Sequence, residues 1–388
     1  MESKTVNLKA CKNVSEYTNG EMDNQSDGKR DLLMIVGPCS AESENQLRTT
    51  ASMIRRSKVP VSFFRAGVWK PRSQPGNFEG AGDAALEWLK NIRDEFHLPL
   101  ITEVANARHV ELVLEAGFDA VWIGARTTVN PFYVQEIADA LKGVNKPVFV
   151  KNPVSPDLNL WLGAIERIEE QISGTVYPIH RGFSVTGNSR FRNRPVWQIP
   201  IELKTRRPDL NLICDPSHIA GRREYIQEVA QKALDLNFGG LMVETHHNPD
   251  AALSDAGQQV LPTALREIFL ELKFREYVEL TDEKAEALSS FREQIDKLDV
   301  HLLELLAERM EISSKIGEWK HDNSVSVLQP ERWSFILKRA QSRGGDMGLS
   351  REFLDQLFKA IHDESIDRQT TLPRHFGAKK NVSNERNG

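Results

Sequence analysis

Eight short apolar runs, each ending in a reactive or charged residue, constrain this sequence more than any other feature. The runs are LLMIVGPC (32–39), VSFFR (61–65), PLITE (99–103), AVWIGAR (120–126), PVFVK (147–151), TVYPIHR (175–181), NLICDPSH (211–218) and GLMVE (240–244). Apolar runs of this length between helical stretches are typical of strands that are buried on both faces of a parallel sheet. Eight of them alternating with helices predict an α/β fold, a (β/α)8 TIM barrel, whose chemistry collects at the carboxyl ends of the strands.

The ends of these runs supply one cysteine, four basic residues, one histidine and two glutamates. Because all eight ends of a barrel meet at one mouth, this set predicts an active site for an anionic substrate. The net charge of −5 provides no basic field for nucleic acid or an anionic membrane surface. No apolar run approaches the roughly 20 residues of a membrane span. Three cysteines form no disulfide framework and fit a reducing cytoplasm.

The composition divides the chain into five predicted segments: a mobile N-terminal arm (1–30), the barrel (31–273), a helical linker (274–284), a helical domain (285–372) and a loose tail (373–388). In the helical domain, apolar residues recur at steps of three or four, which predicts one helix of about 35 residues and two shorter ones. A helix of that length needs a partner surface to be stable. We therefore expect an all-α three-helix domain that follows the barrel in the sequence.

Four side chains at or just after strand ends are typical ligands of transition metals. They are Cys39 in GPCSAE, His218 in DPSH, Glu244 in VETHH and Asp255 in ALSDAGQQ. A thiolate, an imidazole and two carboxylates favour a divalent ion such as Mn, Fe, Co or Zn over Mg or Ca. Cys39 alone fits a small core residue equally well, but the four together favour a metal site. Cys214 lies in mid-strand beside Asp215 and is expected to be a core residue.

Six basic residues also lie at strand ends or just beyond them: Arg65, Lys70, Arg72, Arg126, Lys151 and Arg181. Glycine and proline surround them in FRAGVWKPRS, IGART, VKNP and HRGFS, and such segments allow a close approach to a ligand. Guanidinium groups match phosphate and carboxylate geometry. The set predicts a site for two phosphates and a carboxylate. Because the sequence has no glycine-rich nucleotide loop, it predicts no organic cofactor such as ATP or NAD.

The strand-end segments together resemble a known family. GPCSAE, RAGVWKPRS, EVANARHVELV, IGARTT, VKNP, HRG, DPSHIAGRR, VETHHNP and ALSDAGQQ are similar to the short-core, type I beta-like form of 3-deoxy-D-arabino-heptulosonate 7-phosphate (DAHP) synthase, over about 32–272. The resemblance implies that the barrel joins phosphoenolpyruvate to erythrose 4-phosphate. It also implies a metal on the four ligands above and phosphoenolpyruvate on Arg65, Lys70, Arg126, Lys151 and Arg181. Lys70 would protonate the developing alkoxide, and Arg72 and Ser73 would hold the sugar phosphate.

Charged residues interrupt the apolar stripe of the long predicted helix. A single charged residue there is better explained as an arginine at an oligomer seam, but Arg292, Arg309, Lys320 and the nearby Arg332 together suggest a pocket for an anion. Arg292 and Arg309 are 17 residues apart, which is about 25 Å along a helix. Both can therefore reach one small ligand only if one of them comes from an antiparallel partner chain.

The segments FREQIDKLDVHLLELLAERMEISSKIGEWK, LQPERW and DESIDRQ resemble the all-helical chorismate mutases, which are dimers of three-helix chains. The resemblance implies that Arg292 of a partner protomer, Arg309 and Arg332 hold the two carboxylates of chorismate. It also places Lys320 and Gln369 on the ether oxygen and Ser365 in the pocket wall. Gln329 and Trp333 stand where related sequences often carry acids.

The two resemblances together imply a bifunctional enzyme of aromatic amino acid biosynthesis that acts on small anionic substrates, as a homodimer or higher homo-oligomer. Two alternatives remain open from the residues. The helical domain can be mainly a ligand-sensing dimerisation module with weak or no mutase activity. The barrel can be a metal-independent aldolase with Lys151 as its Schiff-base residue. Because no regulatory domain is predicted before the barrel, we expect prephenate, bound in the helical domain, to slow the barrel reaction.

Overall fold

The structure, a computed structural model, describes residues 32–70, 76–186, 189–274 and 282–371, the side chains of 282–284 excepted. The predicted arm (1–30), the tail (373–388) and most of the linker (274–284) lie outside the described residues, as do Arg72 and Ser73. The chain divides into two compact units, residues 1–277 and 278–388.

The first unit is a closed barrel of eight parallel strands, which confirms the predicted fold. The strands are β1 (Leu33–Gly37), β2 (Phe63–Arg65), β3 (Leu100–Val104), β4 (Ala120–Ile123), β5 (Val148–Lys151), β6 (Val176–His180), β7 (Ile213–Cys214) and β8 (Gly240–Glu244). Every strand residue is buried, as expected where helices cover a parallel sheet. The first and last strands close the barrel, in a register that runs from Leu33 opposite Gly240 to Gly37 opposite Glu244.

Each strand is followed by a helix, as the pattern predicts. The helices are α1 (Glu44–Ser57), α2 (Ala84–Phe96), α3 (Ala107–Glu115), α4 (Ala125–Thr128), α5 (Pro131–Ala140), α6 (Leu158–Glu169), α7 (Gln198–Arg206), α8 (Pro216–Ala220), α9 (Ile226–Asp235) and α10 (Pro262–Glu271). The two short helices α4 and α8 were not predicted. They begin directly after β4 and β7, so Arg126 and His218 lie in helical turns at the mouth rather than in strands.

The strand register explains why the polar strand ends face the interior. Side chains two residues apart share one face of a strand. Phe63, Phe149 and Met242 belong to the apolar cluster that fills the barrel. Arg65, Lys151 and Glu244 follow them two residues later on β2, β5 and β8. The mouth of the barrel is therefore lined by the next layer of the same inward-facing positions.

His180, at the end of β6, occupies an outward-facing position between the barrel and its helices. It is fully buried, and its ring lies 5.1 Å from that of Trp197, 5.7 Å from that of Phe183 and 6.2 Å from that of Phe238. Burial in these apolar surroundings, assisted by the charge of Arg181, lowers the pKa of His180 to about 3.

We expect the barrel to lose stability as the pH falls below 6.5, the ordinary pKa of histidine. The unfolded chain then binds a proton that folded His180 does not accept until the pH approaches its lowered pKa. Stability from this group is therefore present at neutral pH and falls by about 2 kcal/mol between pH 7 and pH 5. Urea unfolding at both pH values measures the effect. Phenylalanine fits the aromatic surroundings and cannot be protonated, so His180→Phe should have a shallower pH dependence; identical pH dependence in both proteins would contradict the prediction.

The second unit consists of three helices, α11 (Asp282–Asp322), α12 (Pro330–Asp346) and α13 (Arg351–Thr370), which confirms the predicted helical domain. At 41 residues, α11 is longer than the predicted helix and begins inside the predicted linker. Helix α13 packs against both α11 and α12. Phe291, Ile295, Leu298, Leu302 and Leu305 of α11 are 49–66% exposed in the single chain. No helix among the described residues has both the length and the apolar character needed to cross a membrane.

Candidate active sites

Three of the four predicted metal ligands meet at the mouth of the barrel. Donor atoms of Cys39, Glu244 and Asp255 all lie within 4.8 Å of one another. The Sγ atom of Cys39 is 3.4 Å from Oδ2 of Asp255. The fourth, His218, places its Nε2 atom 3.8 Å from Oε1 of Glu244. Loops from the first and last strands and the short helix α8 thus bring the four predicted ligands to one place.

Asp215, which the sequence did not predict as a site residue, orients His218. It is the N-cap of α8, where its Oδ1 atom accepts a hydrogen bond from the backbone N–H of His218 at 3.0 Å. Its Oδ2 atom lies 2.8 Å from Nδ1 of the same imidazole. A carboxylate at Nδ1 favours a proton on that nitrogen and leaves the Nε2 lone pair available for an ion. The spacing of an Asp cap three residues before the histidine was the available sequence signal.

The ionisation of these groups fits a site for a cation. Burial, more than any neighbouring charge, raises the pKa of the Cys39 thiol to about 12. Although burial alone would raise it, the pKa of Glu244 is lowered by His218 and Arg65. Burial lowers the pKa of His218, which favours the neutral imidazole that a metal binds. An entering ion would displace the thiol proton and find two carboxylates and a neutral imidazole beside it.

Asp255 is held in an unusual backbone conformation. Its φ angle of +49° lies in the left-handed region, which costs a residue other than glycine of order 1 kcal/mol. Arg192, which the sequence did not predict either, donates a hydrogen bond from Nη1 to Oδ1 of Asp255 at 3.0 Å and to Oε1 of Gln258 at 2.7 Å. Gln258 in turn donates to Oε2 of Glu244 at 2.7 Å. Two of the predicted ligands are therefore joined by a side-chain network.

The predicted basic residues surround the same place. The guanidinium of Arg65 lies 2.9 Å from Glu244, and both side chains are fully buried. Lys70 donates to the backbone carbonyl of Cys39 at 3.1 Å, and Lys151 lies 2.9 Å from Asp215.

Arg181 donates a hydrogen bond to Oδ1 of Asn193 at 2.9 Å. It also lies near the positive charge of Arg126, which is exposed. Burial, with the charges of Arg192 and Arg126, lowers the pKa of Arg181 to about 10. The described members of the predicted basic set thus line one mouth.

The centre of the barrel mouth contains unpaired hydrogen-bond donors. The Nε and Nη1 atoms of Arg65 are buried and have no hydrogen-bond partner among the described residues. Trp122 lies beneath, with its ring centre 5.0 Å from Cζ of Arg65 and 5.6 Å from Nζ of Lys151. The face of this ring attracts both cations and allows two like charges to remain side by side. Because an unpaired buried donor is costly, these groups are suited to an anionic ligand.

The second predicted site lies between α11 and α13. Arg309 hydrogen-bonds to the hydroxyl of Ser365, and Lys320 donates to Oε1 of Gln369 at 3.0 Å and to the carbonyl of Val327 at 2.7 Å. Lys320 and Ser365 are both buried. Four of the six predicted mutase residues therefore share one helix–helix interface.

Gly317 permits the close approach of these two helices. A Cβ atom at this position would lie 2.7 Å from Cα of Gln369, a distance that side-chain movement cannot relieve. The sequence did not identify this glycine, because the contact depends on which turns of α11 and α13 face each other.

The remaining two predicted mutase residues lie elsewhere in the single chain. Arg332 is exposed in the first turn of α12, with its guanidinium 5.5 Å from the centre of the Phe335 ring. Arg292 is exposed on the N-terminal half of α11. Since α11 is one continuous helix, Arg292 lies about 25 Å along its axis from Arg309.

Comparison with known proteins identifies both units. A model of the DAHP synthetase I family matches residues 13–278, and a model of chorismate mutase type II matches residues 291–370. The chain is 28% identical over 242 residues to the phospho-2-dehydro-3-deoxyheptonate aldolase of Thermotoga maritima, covering 62% of this chain and 69% of that protein. A crystal structure of that aldolase has a TM-score of 0.55, with 28% identity, and the match covers 62% of this chain and 68% of the other. The 2-dehydro-3-deoxyphosphooctonate aldolase of Desulfotalea psychrophila is 28% identical over 271 residues, covering 64% of this chain and 91% of that protein.

Proposed function

The chain belongs to the DAHP synthetase I family and carries a chorismate mutase domain after the barrel in the sequence, and we propose on this basis that one polypeptide performs two reactions of aromatic amino acid biosynthesis. The barrel joins phosphoenolpyruvate to erythrose 4-phosphate, giving DAHP. The helical domain rearranges chorismate to prephenate. The observation that carries the first assignment is the meeting of Cys39, Glu244 and Asp255 within 4.8 Å beside buried Arg65. Assays of DAHP formation and chorismate loss on the full-length protein test both.

Phosphoenolpyruvate binds to Arg65, Lys70, Arg126, Lys151 and Arg181. The unpaired Nε and Nη1 donors of Arg65 support this assignment, because the phosphate and carboxylate of the substrate would satisfy them. Lys151 serves as part of this anion clamp rather than as a Schiff-base residue, since Asp215 and Arg65 accompany it. Erythrose 4-phosphate binds along Lys70 to Ser73, with Arg72 and Ser73 on its phosphate.

Cys39, His218, Glu244 and Asp255 would hold one divalent metal of the Mn, Fe, Co or Zn class, which when bound supplies Lewis-acid chemistry for the aldehyde. The basic residues hold both anions at short range, so that the enol carbon of phosphoenolpyruvate attacks within a preformed complex. Lys70 provides the proton for the developing alkoxide. Its pKa is raised because Cys39, Glu103 and Glu244 outweigh the effect of burial, so it remains an ammonium at neutral pH. Water then adds at C2 of the former enol, and phosphate leaves by C–O cleavage.

Asp215→Asn is expected to weaken metal binding 10- to 100-fold, because the variant loses the carboxylate that orients His218. It should also raise the KM for phosphoenolpyruvate, since Lys151 loses its partner. Metal titration of the metal-free protein and steady-state kinetics measure the two effects. Asp157→Asn is the matched control, because Asp157 is likewise an aspartate N-cap, of α6, that accepts from Leu160. Equal metal affinity in both variants would contradict the role of Asp215.

In the helical domain, Arg309, Arg332 and Arg292 of a partner protomer hold the two carboxylates of chorismate. Lys320 and Gln369 bond to its ether oxygen, and Ser365 lines the pocket. An ammonium has three N–H donors. Lys320 uses two of them on Val327 and Gln369, and the third is available for the ether oxygen, where negative charge develops. The rearrangement needs a fixed substrate conformer and no nucleophile or organic cofactor.

The protein functions as at least a homodimer through α11. The exposed apolar stripe of Phe291, Ile295, Leu298, Leu302 and Leu305 supports this proposal, because a soluble chain seldom leaves such a patch uncovered. An antiparallel partner helix would cover the stripe and bring its Arg292 to Arg309. The alternative of a dimerising sensor without mutase activity is weaker, since it gives no reason for the Lys320–Gln369 pair. A chain without mutase activity would establish that alternative. The low cysteine count favours a cytoplasmic location.

We expect prephenate to slow DAHP formation in the full-length protein. The reason is that the product of the helical domain has its own site on the same chain as an earlier enzyme of the same biosynthetic route. Initial rates of DAHP formation with increasing prephenate measure the effect. Arg309→Ala should lose the inhibition, while the control Arg343→Ala, on the exposed end of α12, should keep it. Synthase kinetics that do not respond to prephenate would refute this regulation.

A further inference from the structure

Two loops that are distant in sequence are fastened together behind the proposed metal site. Gln259 is fully buried; its Oε1 atom accepts from the backbone N–H of Cys39 at 3.0 Å, and its Nε2 atom donates to the carbonyl of Ser254 at 2.8 Å. The hydroxyls of Ser40 and Ser254 lie 2.6 Å apart, and both serines are buried. These contacts join the loop after β1 to the loop after β8.

We propose that Gln259 and Ser254 are positioning residues that set the separation of the Cys39 sulfur and the Asp255 carboxylate, and thereby the affinity of the barrel for its metal. The inference rests on the proposed metal site and adds to it the residues that arrange two of its ligands. Neither residue is itself a ligand.

The place of each contact supports this role. Gln259 binds the backbone of Cys39 itself and the carbonyl of the residue just before Asp255, so it acts on the main chain that carries both ligands. Glu42 adds a further connection, since its Oε1 atom accepts from the backbone N–H of Leu253 at 2.9 Å. With these bonds in place, the Sγ atom of Cys39 lies 3.4 Å from the Oδ2 atom of Asp255.

The backbone of Asp255 provides a second, independent reason. Its φ of +49° lies in the left-handed region, which aspartate adopts more readily than most residues but still at a cost that the surroundings have to offset. Ser254 is held by a hydroxyl contact on one side and by the Gln259 amide on the other. The contacts from Ser40 and Gln259 therefore restrain Ser254, the residue adjacent to Asp255, which a free loop of this sequence would not do.

Binding of Co²⁺ to the metal-free full-length protein tests the proposal. Co²⁺ reports in two ways: by its dissociation constant and by the intensity, per bound ion, of the thiolate-to-cobalt absorption that arises when a cysteine sulfur coordinates the ion. Gln259→Met removes both contacts of the amide. Gln259→Glu keeps an acceptor for the Cys39 N–H and loses the donor to Ser254, and Ser254→Ala removes the hydroxyl contact.

We expect Gln259→Met to bind Co²⁺ 10- to 100-fold more weakly, with a reduced thiolate band per ion. Gln259→Glu should recover part of the affinity, and Ser254→Ala should show a smaller loss. Ser62→Ala is the matched control, because Ser62 is a buried serine that accepts from Met34 at the opposite end of the barrel. It should bind Co²⁺ like the wild type, whatever its effect on thermal stability.

The outcomes separate the two proposals. If Gln259→Met, Gln259→Glu and Ser254→Ala all bind Co²⁺ within twofold of the wild type, with unchanged thiolate bands, the positioning role is overturned and the metal site stays intact. A wild-type protein that binds no Co²⁺ would overturn both the metal site and the positioning role of Gln259 and Ser254. If Gln259→Met does not fold, Ser254→Ala and Gln259→Glu still decide the question.

Discussion

Replacing Cys39 with serine is expected to weaken metal binding by at least about 100-fold and to reduce DAHP synthase turnover to a small fraction of the wild-type rate. The serine hydroxyl stays protonated at neutral pH, so the site loses its one soft, anionic sulfur donor. Glu244, Asp255 and His218 alone would form a weaker site. Metal content after dialysis, together with the rate of DAHP formation, measures both effects.

Cys214→Ala is the matched control for this substitution. Cys214 is also a fully buried thiol, but it belongs to the apolar cluster between the barrel and its helices. Its replacement should cost stability and leave metal content unchanged. The chorismate mutase rate of Cys39→Ser should remain that of the wild type, because the helical domain is a separate unit. A Cys39→Ser protein that turns over at the wild-type rate without metal would remove the ion from the proposed mechanism.

Arg309→Ala is expected to lower the kcat/KM of the mutase about 10³-fold, or about 4 kcal/mol, while DAHP formation continues. Arg309 is the partly buried guanidinium between α11 and α13, and burial lowers its pKa without removing its charge. Alanine leaves the Ser365 hydroxyl without this donor and a substrate carboxylate without its cation. The rate of chorismate loss measures the effect, and Arg343→Ala is again the control. A normal mutase rate in Arg309→Ala would show that the pocket lies elsewhere.

Subunit mixing tests whether Arg292 acts across the proposed dimer. Dimers that contain only Arg292→Ala chains, or only Arg309→Ala chains, should have no mutase activity. If a site uses Arg309 of one chain and Arg292 of the other, a mixed dimer contains one intact site and one site that lacks both residues. Random exchange of equal amounts should then restore about one quarter of wild-type activity. No restoration after complete exchange would mean that both arginines serve the same chain.

The barrel and its mouth were largely predictable, because strand burial and strand ends are local properties. The apolar run 147–151 predicts both β5 and the inward position of Lys151, since Phe149 lies two residues earlier. The same reasoning extended the strands too far in the runs 120–126 and 211–218, because β4 ends at Ile123 and β7 at Cys214. A glycine before Arg126 and a proline before His218 begin short helices there, and this turn chemistry overrides the apolar pattern.

The residues that support the site were harder to predict, because their roles depend on long-range geometry. Asp215 follows a core strand, and Trp122 is an ordinary strand residue by composition. Arg192 lies in an irregular loop, and Gln259 contacts a residue 220 positions away. None of these roles follows from local periodicity. Direct ligands carry distinctive chemistry in their own side chains, whereas their supporting residues become recognisable only when the loops that carry them are placed together.

The closure of β1 on β8 has a consequence for when the protein can acquire the proposed metal ion. Cys39 leaves the ribosome early, but Asp255 follows 216 positions later, after the last strand of the ring. Contacts between such distant segments form late in folding. A nascent chain cannot assemble the complete ligand set before the loop after β8 has emerged, and we expect barrel fragments that end before β8 to be unable to retain the proposed metal ion.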